Sequence, residues 1–125
     1  MVNQDKLVTG NKKLDFEHQQ ILSVLIRLQE PELPTHQRIL ICEKLLHYVS
    51  EHIEEEEEMM YLYNYPDVEK HTDNHTYIQK QTLEAFAAFI KADVVSTKII
   101  YDIFHDHIID YDMPMVEYIN KQKEI

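Results

Sequence analysis

Apolar residues recur at helical spacing along most of this 125-residue chain, in four amphipathic stretches separated by short polar breaks. The first stretch predicts a helix from about Asp15 to Gln29, which the prolines in the segment 30–34 bring to an end. The second predicts a long helix that ends at about Leu62, with Thr35 as its expected N-cap. The first half of the chain is thus predicted to be two helices joined by a short turn.

The second half shows the same pattern. The segment 65–67, with its proline, predicts a turn, and a third helix is predicted over 68–91. A fourth helix is predicted to begin at Asp93 or Ser96 and to end at about Asp112, and a proline two residues later permits one short helical tail. Four amphipathic helices with short connections predict an all-α fold, an up-down-up-down four-helix bundle with a short C-terminal helical tail.

The apolar stripes also predict which side chains face the core. These inner positions are Leu14, Ile21, Leu22, Leu25 and Leu28 on the first helix, Ile39, Leu45, Tyr48, Val49, Ile53 and Met60 on the second, Ile78, Phe86 and Phe89 on the third, and Ile99, Ile100, Ile103, Phe104 and Ile108 on the fourth. With 44% hydrophobic residues, the chain has material for one core, and we expect residues 1–125 to form a single domain. Its one glycine, against an average of about 7% in proteins, also favours helices over glycine-dependent hairpins and phosphate loops.

Charge and hydropathy narrow the classes of partner. A formal charge of −11 repels both phosphate backbones and anionic lipid surfaces, so we expect no nucleic-acid and no membrane partner. No stretch approaches the roughly 20 apolar residues that span a bilayer. The first six residues lack the features of an export signal, and the single Cys42, interpreted as a small residue on a helix, agrees with a reducing compartment. We therefore expect a cytoplasmic protein.

Five of the eight histidines fall on the predicted inner faces: His18, His52, His71, His75 and His107. A single buried histidine is ordinarily a core residue satisfied by one hydrogen bond. Five in one small core would each need a partner, and a metal that accepts neutral imidazole satisfies several together. The set therefore predicts a metal site in the core.

The acidic run Glu54–Glu58 would ordinarily form a solvated helix face. At about 100° of rotation per residue, Glu56 lies only about 40° from His52 and on the core side, with Glu55 next at about 60°. Glu57 is about 140° away and is expected to face solvent with the rest of the run. The pair His52 and Glu56 is thus a two-ligand unit one turn apart.

Asp112 follows His107 by five residues, which an α-helix would place about 140° away from it. It can reach a metal only if it sits deeper along the bundle or in a loosened last turn. Five imidazoles and two carboxylates exceed what one tetrahedral zinc ion takes and suit two ions that share bridging carboxylates. Three further histidines, His36, His47 and His105, match no ligand position.

These residues stand in a recognisable order. The segments that carry it are Gly10–His18, His52–Met60 followed by Tyr65-Pro66, His71-x-x-x-His75, and His107 with Asp112. In this arrangement, which covers nearly the whole chain, the sequence resembles the hemerythrins, specifically the single-domain bacterial form called bacteriohemerythrin. The resemblance implies a non-haem pair of iron ions in the core of the bundle.

The resemblance also implies a role for each ligand. His71, His75 and His107 would hold one iron, His18 and His52 the other, and Glu56 and Asp112 would bridge both, together with an oxo or hydroxo group. Dioxygen would bind at an open position of the second iron. A dry pocket would keep that binding reversible, and its candidate lining is Leu22, Ile53, Phe104 and Ile108.

Two features depart from the family pattern or extend it. Many bacterial members carry tryptophans before the first helix and one turn before the fourth-helix histidine, whereas this chain has no tryptophan and has Ile103 at the latter place. This departure bears on the shape of the pocket and on oxygen affinity. Tyr48 and Tyr111 share inner faces and would either pack there or donate to a ligand.

The residues, together with what the resemblance implies, leave three functions open. The first is reversible dioxygen binding for storage, delivery or scavenging, without enzymatic turnover, although weak oxidase or peroxidase activity is compatible with it. The alternative is a di-iron oxidase or peroxidase that acts on a small substrate or on ferrous iron. Against this alternative, the Glu-x-x-His unit of ferritin-like oxidases does not occur in the chain. The third is an oxygen sensor that acts through a separate, unidentified protein partner.

Overall fold

The computed structural model describes residues 7–124, and these residues form helices and turns with no strand among them. The predicted all-α class is confirmed. The first six residues, on which the expected lack of an export signal depended, and residue 125 lie outside the described part. Within residues 7–124, no helix is both long enough and apolar enough to cross a membrane.

The first two helices start where local chemistry favours a helix end. Helix α1 spans Lys12–Arg27, and the side chain of its N-cap, Asn11, accepts a hydrogen bond from a backbone N–H of the first turn. Helix α2 spans Thr35–Leu62. Thr35 is its first helical residue and not its cap, because Pro34 occupies the N-cap position with extended backbone and makes no side-chain cap. The sequence prediction of a Thr35 cap was wrong by one position.

The predicted third helix is divided in two. Helix α3 spans Val68–Glu84 and helix α4 spans Phe86–Ile90, with Ala85 between them. The buried Thr82 donates its hydroxyl hydrogen to the carbonyl of Ile78, one turn back, at 2.8 Å. Such a bond within a helix competes with the backbone ladder and tends to bend the helix.

The fourth stretch begins as predicted and then changes its pitch. Helix α5 spans Val94–His107, and the side chain of Asp93 caps it by accepting from the backbone N–H of Ser96. Residues Ile108–Asp112 form a π-helical turn, and helix α6 continues over Met113–Lys123. The C-terminal tail is therefore helical, as predicted.

Helices α1, α2, α3 and α5 enclose the core. Helix α1 contacts α2 and α5, and helix α3 contacts the same two helices. The buried apolar residues fall into two clusters. The larger extends from α1 to α5, and the smaller joins Leu14 and Met60 to Met115, Val116 and Ile119 of α6. Two predicted inner positions lie elsewhere: Ile39 is 39% exposed and Ile99 is 53% exposed.

A buried arginine was not predicted from the pattern. Arg38 is 1% exposed, and its guanidinium donates to the backbone carbonyls of Leu28, Glu30, Leu33 and Phe89. These carbonyls belong to the end of α1, the turn after it, and α4. Buried carbonyls need hydrogen-bond donors, and the Arg38 side chain supplies them. It thereby connects the α1–α2 turn to α4 near the N-terminus of α2.

Candidate metal centre

Seven buried side chains converge between the two apolar clusters, and they are the seven that the sequence singled out. Helix α1 supplies one, α2 two, α3 two, α5 one and the π-helical turn one: His18, His52, Glu56, His71, His75, His107 and Asp112. Each is at most 5% exposed. Three histidines and an acid spaced at one-turn intervals on α2 and α3, with three more residues from neighbouring elements, thus meet at one level of the fold.

The ligand atoms form two overlapping groups. The three-histidine group contains His71, His75 and His107, and the two-histidine group contains His18 and His52. Glu56 and Asp112 belong to both groups, and within each group the candidate ligand atoms all lie within 4.8 Å of one another. Each group is therefore compact enough to hold a metal ion.

In the three-histidine group, one oxygen of each carboxylate faces the imidazoles. Oε1 of Glu56 lies 2.8 Å from Nε2 of His75 and 3.2 Å from Nε2 of His71. Oδ1 of Asp112 lies 2.9 Å from Nε2 of both His71 and His107. All three histidines thus present the same ring nitrogen, Nε2, to the same small volume.

The other oxygen of each carboxylate faces the two-histidine group. Oε2 of Glu56 lies 3.0 Å from Nε2 of His52 and 3.6 Å from Nε2 of His18. Oδ2 of Asp112 lies 2.9 Å from Nε2 of His18. Each carboxylate therefore divides its two oxygens between the two groups, which is the arrangement of a bridging ligand.

Many of these atoms lack a hydrogen bond despite the short distances. Both ring nitrogens of His18, Nε2 of His52, Oε2 of Glu56 and both oxygens of Asp112 are buried without a hydrogen-bond partner in the described part of the chain. Buried polar atoms without partners are costly, each by about 1–3 kcal/mol. A cation at the centre of each group would satisfy all of these atoms except Nδ1 of His18, because that ring presents its Nε2 to the two-histidine group, so this donor set fits a metal.

The π-helical turn explains how Asp112 reaches the cluster. In an α-helix a residue five positions after His107 would point elsewhere, but in a π-helix each N–H bonds five residues back, so residues five apart lie one turn apart. The turn spans Ile108–Asp112, and its last residue therefore lies beneath His107. The loosened turn, one of two geometries considered from the sequence, is the one observed.

Three side chains outside the seven orient the imidazoles. The Nδ1–H groups of His52 and His75 donate to Glu17 at 2.7 Å and to Glu57 at 2.9 Å. Such bonds select the tautomer that leaves Nε2 free for a metal and hold the ring in place. The sequence prediction for Glu57 was wrong, because a wheel centred on His52 ignores α3, and Glu57 lies on the flank of α2 that faces that helix.

The third orienting residue is Asn74, whose side-chain oxygen accepts from Nδ1 of His107 at 2.5 Å. Sequence reasoning missed both Asn74 and Glu17. The only available signal was their position beside ligand histidines in the chain, since Glu17 precedes His18 and Asn74 precedes His75.

The other candidates take positions around the centre. Tyr111 stacks on His107, with the ring centroids 5.2 Å apart and the planes 13° from parallel, so its contact is one of packing. Tyr48 is half-buried on α2. The three remaining histidines, His36, His47 and His105, lie outside both groups. The four predicted pocket residues, Leu22, Ile53, Phe104 and Ile108, are all buried in the larger apolar cluster.

In the metal-free protein, the buried histidines and carboxylates shift one another's pKa values so that their charged forms are favoured. Burial would lower the pKa of His52, but the charge of Glu56 and the bond to Glu17 outweigh it and raise that pKa to about 10. Burial is likewise outweighed at His107, where the charge of Asp112 raises the pKa to about 9. Burial alone would raise the pKa values of Glu56 and Asp112, but the surrounding imidazoles hold both below their usual range. Protonated imidazoles therefore balance two buried carboxylates, and a metal ion that bound there would displace their protons.

The pKa shifts predict opposite pH trends for stability and for metal affinity. The raised pKa values of His52 and His107 contribute stability that is complete below about pH 6.5 and is lost as the pH rises toward 9 or 10. We therefore expect the melting temperature of the metal-free protein to fall from pH 6.5 to 9, while its affinity for a divalent metal rises because fewer protons compete. Circular dichroism melts and chelator competition at each pH measure the two trends.

A matched pair of variants checks the source of the trend. His107→Gln should flatten the decline in melting temperature, whereas His47→Gln should leave it unchanged, because His47 is an exposed residue that pairs with the exposed Glu51 and lies outside both groups. A metal-free melting temperature that stays constant or rises over this range would contradict the assignment.

No protein-family model, curated protein or solved structure matches the chain. The features of the chain that bear on function are two adjacent groups of buried donors, a carboxylate pair common to both, and three outer side chains that hold the imidazoles.

Proposed function

We propose that the chain is a non-haem di-iron protein that reversibly binds dioxygen, and that its helices form the up-down-up-down four-helix bundle of the hemerythrins. One iron ion would be held by the three-histidine group and the other by the two-histidine group. The observation that carries the proposal is the division of oxygens in Glu56 and Asp112, one oxygen of each to each group. A single ion would leave half of those oxygens buried and unpartnered.

Iron is the metal that we favour for the pair. Because both carboxylates are shared, the three-histidine group offers five donors and the two-histidine group four, which together exceed what two tetrahedral zinc ions take and suit ions that accept five or six donors. A pair of ferrous ions bound there would supply the two electrons that dioxygen takes up on binding, and would regain them when dioxygen leaves. The protein's own contribution is to hold the pair, orient the imidazoles and exclude water.

Exclusion of water supports binding over turnover. The larger apolar cluster, which contains Leu22, Ile53, Phe104 and Ile108, would line the dioxygen pocket, and none of these four side chains offers a proton. The two acids of the centre, Glu56 and Asp112, are both shared between the groups, so neither is free to serve as a general acid for an oxidase. We therefore favour a binding protein, for storage, delivery, scavenging or sensing, over the alternative of an oxidase or peroxidase.

An oxygenation titration tests the proposal directly. Protein loaded anaerobically with ferrous iron should contain two iron ions per chain and be nearly colourless. It should gain visible absorption in air and lose it again under argon over repeated cycles. One iron per chain, or a spectrum indifferent to oxygen, would refute the proposal, and sustained consumption of oxygen with a reducing substrate would favour the oxidase.

A further inference from the structure

The two groups of donors are unequal in ligands. The three-histidine group has three imidazoles of its own and the two-histidine group has two, while both carboxylates are shared. An ion in the two-histidine group therefore receives one fewer bond from the chain. Fewer protein ligands mean a lower barrier to leaving and a weaker hold at equilibrium.

The hydrogen bonds that hold the imidazoles through their Nδ1 atoms are also fewer in the two-histidine group. In the three-histidine group, Glu57 and Asn74 accept from the Nδ1 atoms of two of the three histidines. In the two-histidine group only His52 has such a partner, Glu17, and within residues 7–124 the Nδ1 of His18 has none. Because loss of an outer partner typically weakens metal binding by about 10–100-fold, the two-histidine group depends heavily on one residue, Glu17.

A groove between α1 and α2 reaches this weaker group. It has a volume of about 70 Å³, and its walls are Glu17, Gln20, Tyr48, Glu51 and His52. This volume exceeds the roughly 30 Å³ that one water molecule occupies, so a partly hydrated ion fits in the groove. The side chain of Glu51 is 62% exposed, which places a carboxylate at the outer rim, while His52, a candidate ligand, forms the inner wall. A negatively lined groove concentrates cations.

We propose that the two metal positions are filled and emptied in order: the two-histidine group takes up its ion last and loses it first, through the α1–α2 groove. In this scheme Glu17 is a positioning residue that holds the His52 ring. The Glu51 carboxylate attracts the ion as it enters or leaves through the groove. The inference rests on the proposed two-ion centre and adds to it an order of loading and a route.

Release of iron to a chelator tests the order. Protein loaded anaerobically with two ferrous ions per chain is mixed with excess of a ferrous chelator that changes colour on binding, and iron release is followed in time. We expect two phases of one equivalent each. Stopping the reaction between the phases should leave one iron per chain and no spectrum of a coupled pair on exposure to air.

Variants assign the phases to the groups. Glu17→Ala should accelerate the fast phase by about tenfold or more and leave the slow phase unchanged, and Glu57→Ala should do the reverse. Glu17→Gln keeps an acceptor oxygen and should fall between Glu17→Ala and the native chain. Glu54→Ala, an exposed change on the same helix, should alter neither phase. If metal-free Glu17→Ala proves unfolded by circular dichroism, Glu17→Gln carries the same comparison.

Glu51 tests the route separately from the order, because it lines the groove without contacting a ligand. Glu51→Gln should slow both loading and release of the fast equivalent by a similar factor, about two- to threefold at low salt, and leave its affinity unchanged. High salt should erase the difference between this variant and the native chain.

The outcomes separate this inference from the proposed function. A protein that binds fewer than two iron ions would refute the proposed function itself. Two ions that leave in one phase, or a Glu17→Ala variant that accelerates only the slow phase, would overturn the order while leaving the paired centre intact. A Glu51→Gln variant with unchanged rates would overturn the route.

Discussion

Replacement of Glu56 by alanine should reduce bound iron from two ions per chain to at most one and remove the response of the spectrum to oxygen. The reason is geometric. Oε1 of Glu56 lies 2.8 Å from Nε2 of His75, and Oε2 lies 3.0 Å from Nε2 of His52, so one carboxylate serves both groups. The substitution removes a donor from each position and half of the negative charge that balances the ions. We expect affinity for the second ion to fall by more than about 100-fold, beyond the loss typical of an outer partner.

The same acidic run supplies the controls. Glu54→Ala changes an exposed residue two positions away and should retain two iron ions and reversible oxygenation. Glu57→Ala should lie between, with weaker binding but two ions at saturating iron, because Glu57 supports His75 and is not itself placed as a ligand. Metal analysis after gel filtration and oxygenation spectra measure all three. Equal iron content in Glu56→Ala and Glu54→Ala would refute the bridging role.

The contrast between Glu56 and Glu57 shows what periodicity can predict. The rotation of a single helix is enough to place Glu56 on the core side, because that face is defined by the apolar residues of α2 itself. It cannot predict the role of Glu57, which lies on the flank of α2 and whose partner, His75, belongs to another helix. The same holds for Asn74 and His107, which are 33 residues apart in the chain. Outer partners depend on how helices pack, and a pattern within one helix does not contain that information.

Which side chains are buried in the core likewise depends on how the helices pack. Most stripe positions are buried as predicted, but Ile39 and Ile99 are exposed while Arg38 is buried. A hydropathy pattern ranks arginine among surface residues. The burial of Arg38 becomes favourable only because the ends of α1 and α4 bring several unpaired carbonyls to one place. That meeting point is a property of the tertiary structure.

The position of Asp112 could not be predicted from the sequence pattern either, since α-helical rotation places it on a different face from His107. The observed π-helical turn Ile108–Asp112 is equivalent to an α-helix with one inserted residue, which widens a single turn and restores the register on both sides. Oδ1 of Asp112 consequently lies 2.9 Å from Nε2 of His107. The backbone, and not the spacing alone, makes this residue a candidate ligand.

The length of that turn should therefore control metal binding more strongly than the identity of its exposed residues. Insertion of one alanine after Asp110 would place Asp112 six residues beyond His107, about 120° away in α-helical geometry. It would also rotate α6 by about 100° relative to α5 and move Met115 and Val116 out of the smaller apolar cluster. We expect this insertion to abolish binding of the iron pair, as Asp112→Ala should, and to lower the melting temperature of the metal-free protein.

Deletion of the exposed Asp110 should have the opposite outcome. Without it, Asp112 follows His107 by four residues, which an ordinary α-helix places about 40° apart on one face, and α6 keeps its direction. The shortened chain should still bind two iron ions, whereas the chain with the inserted alanine should bind at most one. Iron per chain and circular dichroism melts of both variants, beside Asp110→Ala as the change of side chain alone, measure the effect. If the deletion abolished binding as completely as the insertion, the π-helical turn would not act as a one-residue register device, and the position of Asp112 would depend on contacts that α-helical geometry cannot reproduce.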